Sequence, residues 1–325
     1  MQTDAADIEM VKFYQAILIG ILAILAFSLF VSAVTMCVAS FARSYKEANN
    51  YITPLMLVVL FTGYIGFIPN LRKGGVPTVS DVWFVVALTI VLVLYAGGML
   101  QLKFGLAGVF GTQMILLFVP LAVVLYTKKE IRLTYGFQKT GLKSFLGALF
   151  VVFGLVPVNI VVSYILTPLF PAGAESVEAM FSTIMDGNAV SVFFVTAMAP
   201  AVCEEMLFRG FIYHSMKARY RISVAIGIAA VLFGIYHMSL IRFIPTALAG
   251  LIFCCVVYKT GSIYPSMMMH FINNAFNVLA AYYPEKIEKI FPILYKESMS
   301  FSDGVLFCSV GMVLLAIGGV IFKRV

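Results

Sequence analysis

The sequence predicts an all-α protein, a polytopic bundle of about nine or ten transmembrane helices. Three observations carry that prediction. Of the 325 residues, 62% are hydrophobic and only 11% are charged, less than half the ~25% usual in soluble proteins. The mean hydropathy is +1.02. The apolar residues also come in unbroken blocks rather than in alternation. No charged residue occurs in 13–42, 51–70, 82–102, 104–127, 144–174, 187–203, 243–258 or 304–322, and 222–241 and 260–284 each hold one histidine and no charge. A helix needs ~20 apolar residues to cross the hydrocarbon core, whereas a barrel strand would be ~10 residues and alternating. A water-soluble globule could not hide this much apolar surface, and a disordered chain would be far more polar.

The spans follow the blocks: 13–41, 52–69, 82–101, 106–126, 144–168, 188–213, 222–238, 243–258, 262–283 and 303–322. The first block is too long for a secretory h-region, so no cleavable leader is expected. Between the second and third spans, Asn70, Gly74, Gly75 and Pro77 make 70–81 the best candidate for a boundary between two parts. The loop 127–143 carries Lys128, Lys129, Arg132, Lys139 and Lys143 against Glu130, which places it in the cytoplasm. The acidic stretch after the fifth span (Glu175, Glu178, Asp186) then falls outside, and Lys217, Arg219, Arg221, Lys259, Lys323 and Arg324 fall inside. Arg242 and the mixed segment 285–297 fit this alternation less well. Val177, Met180, Phe181 and Ile184 share one face of a short interfacial helix, although an irregular loop would explain the acidic stretch as well. The net charge of +7 belongs to these topology-setting loops and does not point to nucleic acid. Cys37, Cys203, Cys254, Cys255 and Cys308 all sit in apolar blocks without metal-ligand spacing, and read as packing residues.

A charge inside a span costs ~2.5–3.5 kcal/mol at mid-helix, so the exceptions are informative. They cluster between 204 and 277: Glu204, Glu205, Arg209, His237 and His270, with Asn273, Asn274 and Asn277 nearby. Glu205 and Arg209 are i, i+4 and can pair. Glu204 is rotated ~100° away, which leaves one carboxylate neutralised and the other free for general-base work. His270 and Asn274 share a face, and both can donate hydrogen bonds to an oxyanion. A carboxylate, two imidazoles and an amide on three spans make the inventory of a hydrolytic site, acting through a metal or directly on water. Each feature alone also fits a structural ion pair or polar contacts between helices. His214, near Lys217 and Arg219, reads as interfacial.

Glu-Glu-x-x-x-Arg (204–209), Phe-x-x-x-His (233–237) and His-x-x-x-Asn (270–274), on separate spans and in this order, resemble the CAAX protease and bacteriocin-processing family of intramembrane proteases. The resemblance covers a core of 188–283 and extends with flanking spans to a domain of 104–325. It implies an intramembrane endopeptidase acting on a membrane-associated protein or peptide. Glu204 would activate water with His237 as its partner, His270 and Asn274 would stabilise the oxyanion, and Glu205 and Arg209 would support them. In a metal-dependent version, Glu204, His237 and His270 would hold Zn²⁺; a metal-free mechanism stays open. Residues 1–100 form a separate N-terminal part. Its stretch 40–54 resembles a loop of the membrane subunit of type-2 ABC exporters, which implies ABC transporter components as partners. The alternatives are a permease using Glu204 and the histidines as an ion relay, or a non-catalytic immunity or scaffold protein.

Overall fold

The structure is a computed structural model that describes residues 74–185, 187–292 and 299–323. The chain divides into two compact units, Met1–Pro69 and Asn70–Val325, and the described residues all lie in the second. The spans expected at 13–41 and 52–69, the exporter-like stretch 40–54 and Asp186 fall outside them. Among the described residues every regular element is a helix, as the apolar blocks require. They are α1 (Val79–Phe104), α2 (Leu106–Tyr126), α3 (Ile131–Tyr135), α4 (Leu142–Leu169), α5 (Pro171–Met185), α6 (Ala189–Lys217), α7 (Ile222–Ile235), α8 (Leu240–Thr260), α9 (Tyr264–Tyr282), α10 (Pro284–Ile290) and α11 (Phe301–Phe322).

Six of these (α1, α2, α4, α6, α8 and α11) are long and apolar enough to cross a membrane, against eight spans drawn from the sequence over the same region. The two differences both concern the site. The segment drawn as 222–238 stops being helical at Ile235, after 14 residues. At ~1.5 Å per residue it rises only ~21 Å, short of a ~30 Å hydrocarbon core. The segment drawn as 262–283 is a 19-residue helix, α9, whose Ser266, His270, Asn273, Asn274 and Asn277 make it too polar to qualify. The amphipathic stretch near 175–186 is the helix α5, with no buried residue.

Local chemistry sets the turns. Thr78 and Asp81 cap the start of α1 reciprocally, which satisfies two backbone donors that a helix start leaves open. Gly105, at φ 54°, reverses the chain between α1 and α2. Gly108 then lets α2 lie directly on α1, since a Cβ there would come within 2.1 Å of the Leu100 carbonyl oxygen. After α2, backbone bonds Gly74 N–H to Lys128 O (3.1 Å) and Glu130 N–H to Gly75 O (2.9 Å) close the entry to α3. The fully buried Tyr135 of α3 packs on Gly210, and Gly136 O accepts from Ile263 N–H at 3.1 Å. The start of α9 is thereby tied through α3 to the end of α6.

α4 and α11 form a glycine-lined pair. A Cβ on Gly154 would meet the Gly311 carbonyl oxygen at 2.7 Å, one on Gly311 would meet that of Gly154 at 2.7 Å, and one on Gly318 would meet that of Gly147 at 2.8 Å. Small residues in register are what lets two helices approach closely where no water drives them together. Beside this seam, Val151, Val152 and Leu155 of α4 pack with Ala249, Phe253 and Val256 of α8, Met269 of α9 and Phe322 of α11. Met269 is the residue before His270, so this core fixes the helix that carries the site. Gly154→Val and Gly311→Val are expected to destabilise the purified protein by about 1–3 kcal/mol through overpacking, read as a fall in the thermal unfolding midpoint in detergent. Unchanged midpoints would show that the seam is not close-packed.

Candidate active site

The site is built on α6, which is not a regular helix. Five-residue and seven-residue π turns, Phe194–Met198 and Met206–Ile212, flank the α-helical Ala199–Glu205. Proline at 200 has no N–H to give the Thr196 carbonyl four residues earlier. The Nδ2 of Asn274 on α9 donates to that carbonyl instead, at 3.1 Å. The π turns on either side of Ala199–Glu205 are a usual device where a helix carries function.

At the end of Ala199–Glu205 the two carboxylates diverge as their ~100° offset requires. Glu205 and Arg209 are fully buried and paired at 2.8 Å. The guanidinium lies over the rings of Phe233 (4.2 Å) and Phe253 (5.1 Å), a setting that favours a cation over an aromatic face. Its nitrogens have no hydrogen bond of good geometry among the described residues, so the pair is held by charge and ring contact. Glu205 Oε1 also meets His270 Nδ1 at 2.8 Å, and Oε2 accepts from the Ser266 hydroxyl. A carboxylate in an ion pair can only accept, so the His270 proton sits on Nδ1. Its Nε2 is turned toward Glu204, 3.7 Å from Oε2. The other oxygen of Glu204, Oε1, accepts from Gln113 Nε2 on α2 at 2.9 Å.

His237 lies in the break between α7 and α8. Its Nδ1 is 2.8 Å from the Phe233 carbonyl oxygen, which leaves Nε2 as an acceptor. The Phe233 ring stands edge-on to both His237 (centroids 4.9 Å apart) and His270 (5.7 Å). His237 lies within electrostatic reach of Glu204, His270 and Arg242. The break itself is pinned from α1, because the Tyr236 hydroxyl donates to Val86 O at 3.0 Å and shares a 2.5 Å hydrogen bond with Thr89. α7 ends at Ile235 and α9 is held on Glu205 through His270, which brings His237 and His270 to the part of α6 that carries Glu204.

The sequence-derived residues are therefore gathered unequally. Glu204, Glu205, Arg209 and His270 form one contact network, His237 faces it across Phe233, and Asn274 is held one helical turn along on Thr196. Among the described residues, no group of three or more His, Cys, Asp or Glu side chains could hold a metal ion. His214 is a correction, being buried rather than interfacial, with Nδ1 2.7 Å from Arg209 O and its ring over Gly136. Cys203 is a buried free thiol. Gln113, Ser266 and the Thr89–Tyr236 bond escaped sequence reasoning. Ser266 had a usable signal, lying four residues before His270 and so on its face.

Residues 186–276 match the family described as type II CAAX prenyl endopeptidase Rce1-like. This segment is similar to CAAX-type proteases. It contains all three motifs and every contact between Glu204, Glu205, Arg209 and His270. No curated protein and no solved structure matches the chain, and none of the comparisons supports the exporter resemblance of 40–54 or ABC transporter partners. The CAAX-type assignment and the apolar helices together make the chain a multi-pass membrane protein. In the CAAX-type segment, Glu205→Ala would leave Arg209 buried without its counter-charge, at a cost of about 3–5 kcal/mol. Ser266→Ala removes one neutral donor to the same carboxylate and is expected to cost ~1–3 kcal/mol. Thermal unfolding in detergent checks the ranking, and equal effects would contradict it.

Proposed function

We propose that the protein is an intramembrane endopeptidase that hydrolyses a peptide bond of a membrane-associated protein or peptide, with Glu204 as general base. The observation that carries this reading is the pairing of the two carboxylates. Glu205 is neutralised by Arg209, while Glu204 turns one oxygen toward His270 Nε2 across 3.7 Å. That separation is too long for a direct hydrogen bond and suits a water touching both groups.

The water donates one hydrogen to Glu204 Oε2 and the other to His237 Nε2, and its oxygen attacks the scissile carbonyl carbon. Glu204 takes the proton as the new C–O bond forms. The oxyanion is met by the second Nδ2 hydrogen of Asn274, the first being held by Thr196 O, and by His270 Nε2–H, once that nitrogen has taken a second ring proton from solvent and the resulting imidazolium faces Glu205. Glu204 then passes its proton to the leaving nitrogen as the C–N bond breaks. Residues 104–325 are the proteolytic unit in this reading, with Thr89 of α1 bracing the His237 break. The Zn²⁺ version suggested by the resemblance, with Glu204, His237 and His270 as ligands, is tested separately; no step above is routed through it.

Comparing protein termini in membranes from cells carrying wild type or Glu204→Gln at matched expression tests the proposal. Termini that depend on Glu204 are expected, with their formation slowed by about 10²–10⁴-fold in the variant. Identical termini with the variant folded and inserted would overturn it. Asn274→Ala is expected to slow the same cleavages by ~10²–10³-fold. Stoichiometric zinc in the purified protein, lost on His237→Ala, would move water activation from Glu204 alone to a metal.

A further inference from the structure

The matched segment ends at residue 276 and begins at 186, yet the closest hydrogen bond to Glu204 comes from outside it. Gln113 is the carboxamide of the otherwise uncharged block 104–127, in the middle of α2, and it is only 8% exposed. Its Nε2 is 2.9 Å from Glu204 Oε1. An ionised carboxylate only accepts, so the amide must present its NH₂ group to Glu204 and its oxygen elsewhere. That oxygen, Oε1, is buried and has no hydrogen-bond partner among the described residues. An orphaned buried acceptor beside a reactive carboxylate needs a reason, because leaving one unmade is costly in an apolar interior.

We propose that Gln113 is a positioning residue for the general base. Its Nε2–H occupies Glu204 Oε1, which leaves Oε2 as the oxygen that faces His270 and receives the water's proton. Its orphaned Oε1 is the cost of that orientation: the amide is turned to satisfy Glu204 rather than its own oxygen. The side chain thereby distinguishes two oxygens that are chemically alike in a free carboxylate. A fixed amide also keeps Glu204 from rotating toward Arg242, whose charge acts on it from the first turn of α8. The inference rests on the endopeptidase reading and assigns α2, outside the matched segment, a part in it.

Two near-isosteric variants separate positioning from packing. Gln113→Met keeps the volume and removes both donor and acceptor. Gln113→Glu keeps the acceptor and restores the donor only when the new carboxyl is protonated, since two carboxylates at hydrogen-bond distance cannot both stay ionised. Membranes from cells expressing wild type, Glu204→Gln and each Gln113 variant are incubated at acidic and at neutral pH, and Glu204-dependent termini are quantified over time. Gln113→Met is expected to be slower by about 10- to 100-fold at both pH values. Gln113→Glu should be similarly slow at neutral pH and recover toward wild type at acidic pH. Wild-type rates in Gln113→Met, or equal losses for both variants at every pH, would overturn the inference while leaving Glu204 as the base. Termini that form equally in Glu204→Gln would overturn the endopeptidase reading and this inference with it.

Discussion

The structure around the site depends on the buried ion pair between Glu205 and Arg209. Neither side chain touches solvent, and removing either would strand a charge in an apolar interior. The pair is completed from three other helices: Phe233 of α7 and Phe253 of α8 cover the guanidinium, and His270 and Ser266 of α9 bond the carboxylate. One charge pair thus draws α6, α7, α8 and α9 together. It also decides which nitrogen of His270 carries the proton, and through that what His270 can offer to Glu204.

Adjacent residues on a helix face directions ~100° apart, and the motif uses that offset as a division of labour. Glu205 is spent on structure, while Glu204 keeps one oxygen open. The π turns on either side of Ala199–Glu205 make this possible without distorting the carboxylates. The first goes with a proline that withholds a donor from Thr196, and Asn274 makes good the loss. Asn274 is thereby located by a backbone carbonyl of the same helix that carries Glu204. A short α7 and an α9 held on Glu205 then bring His237 and His270 toward Glu204.

Much of this was legible in the sequence, and the reasons differ by feature. The all-helical membrane fold followed from uncharged blocks, whose length has one physical use. The Glu205–Arg209 pair and the divergence of Glu204 followed from helical spacing. The helix over Pro171–Met185 was half legible, since Val177, Met180, Phe181 and Ile184 marked an apolar face but the acidic residues fitted a loop equally well. Where the reading failed, hydropathy was the wrong guide. An apolar tally counted α9 with the spans although Ser266, His270 and Asn274 on it carry site contacts, and it drew α7 three residues past its end at Ile235. Gln113 and the Thr89–Tyr236 bond were invisible because they join residues 91 and 147 positions apart, and nothing local announces such contacts. His214 was misplaced because its neighbours Lys217 and Arg219 suggested an exposed boundary, while Gly136 makes room for its ring inside.

The central claim is that the Glu205–Arg209 pair fixes His270 with its proton on Nδ1 and Nε2 toward Glu204. The protein has only three histidines, so side-chain ¹⁵N spectra of the purified protein in lipid are tractable, with His270→Gln identifying the resonances. The account predicts that His270 Nδ1 is protonated and hydrogen-bonded, and that Glu205→Gln changes this signal while Glu204→Gln leaves the Nδ1 proton in place. A His270 whose only proton is on Nε2 would contradict it, because the imidazole would then be oriented by something other than the buried pair.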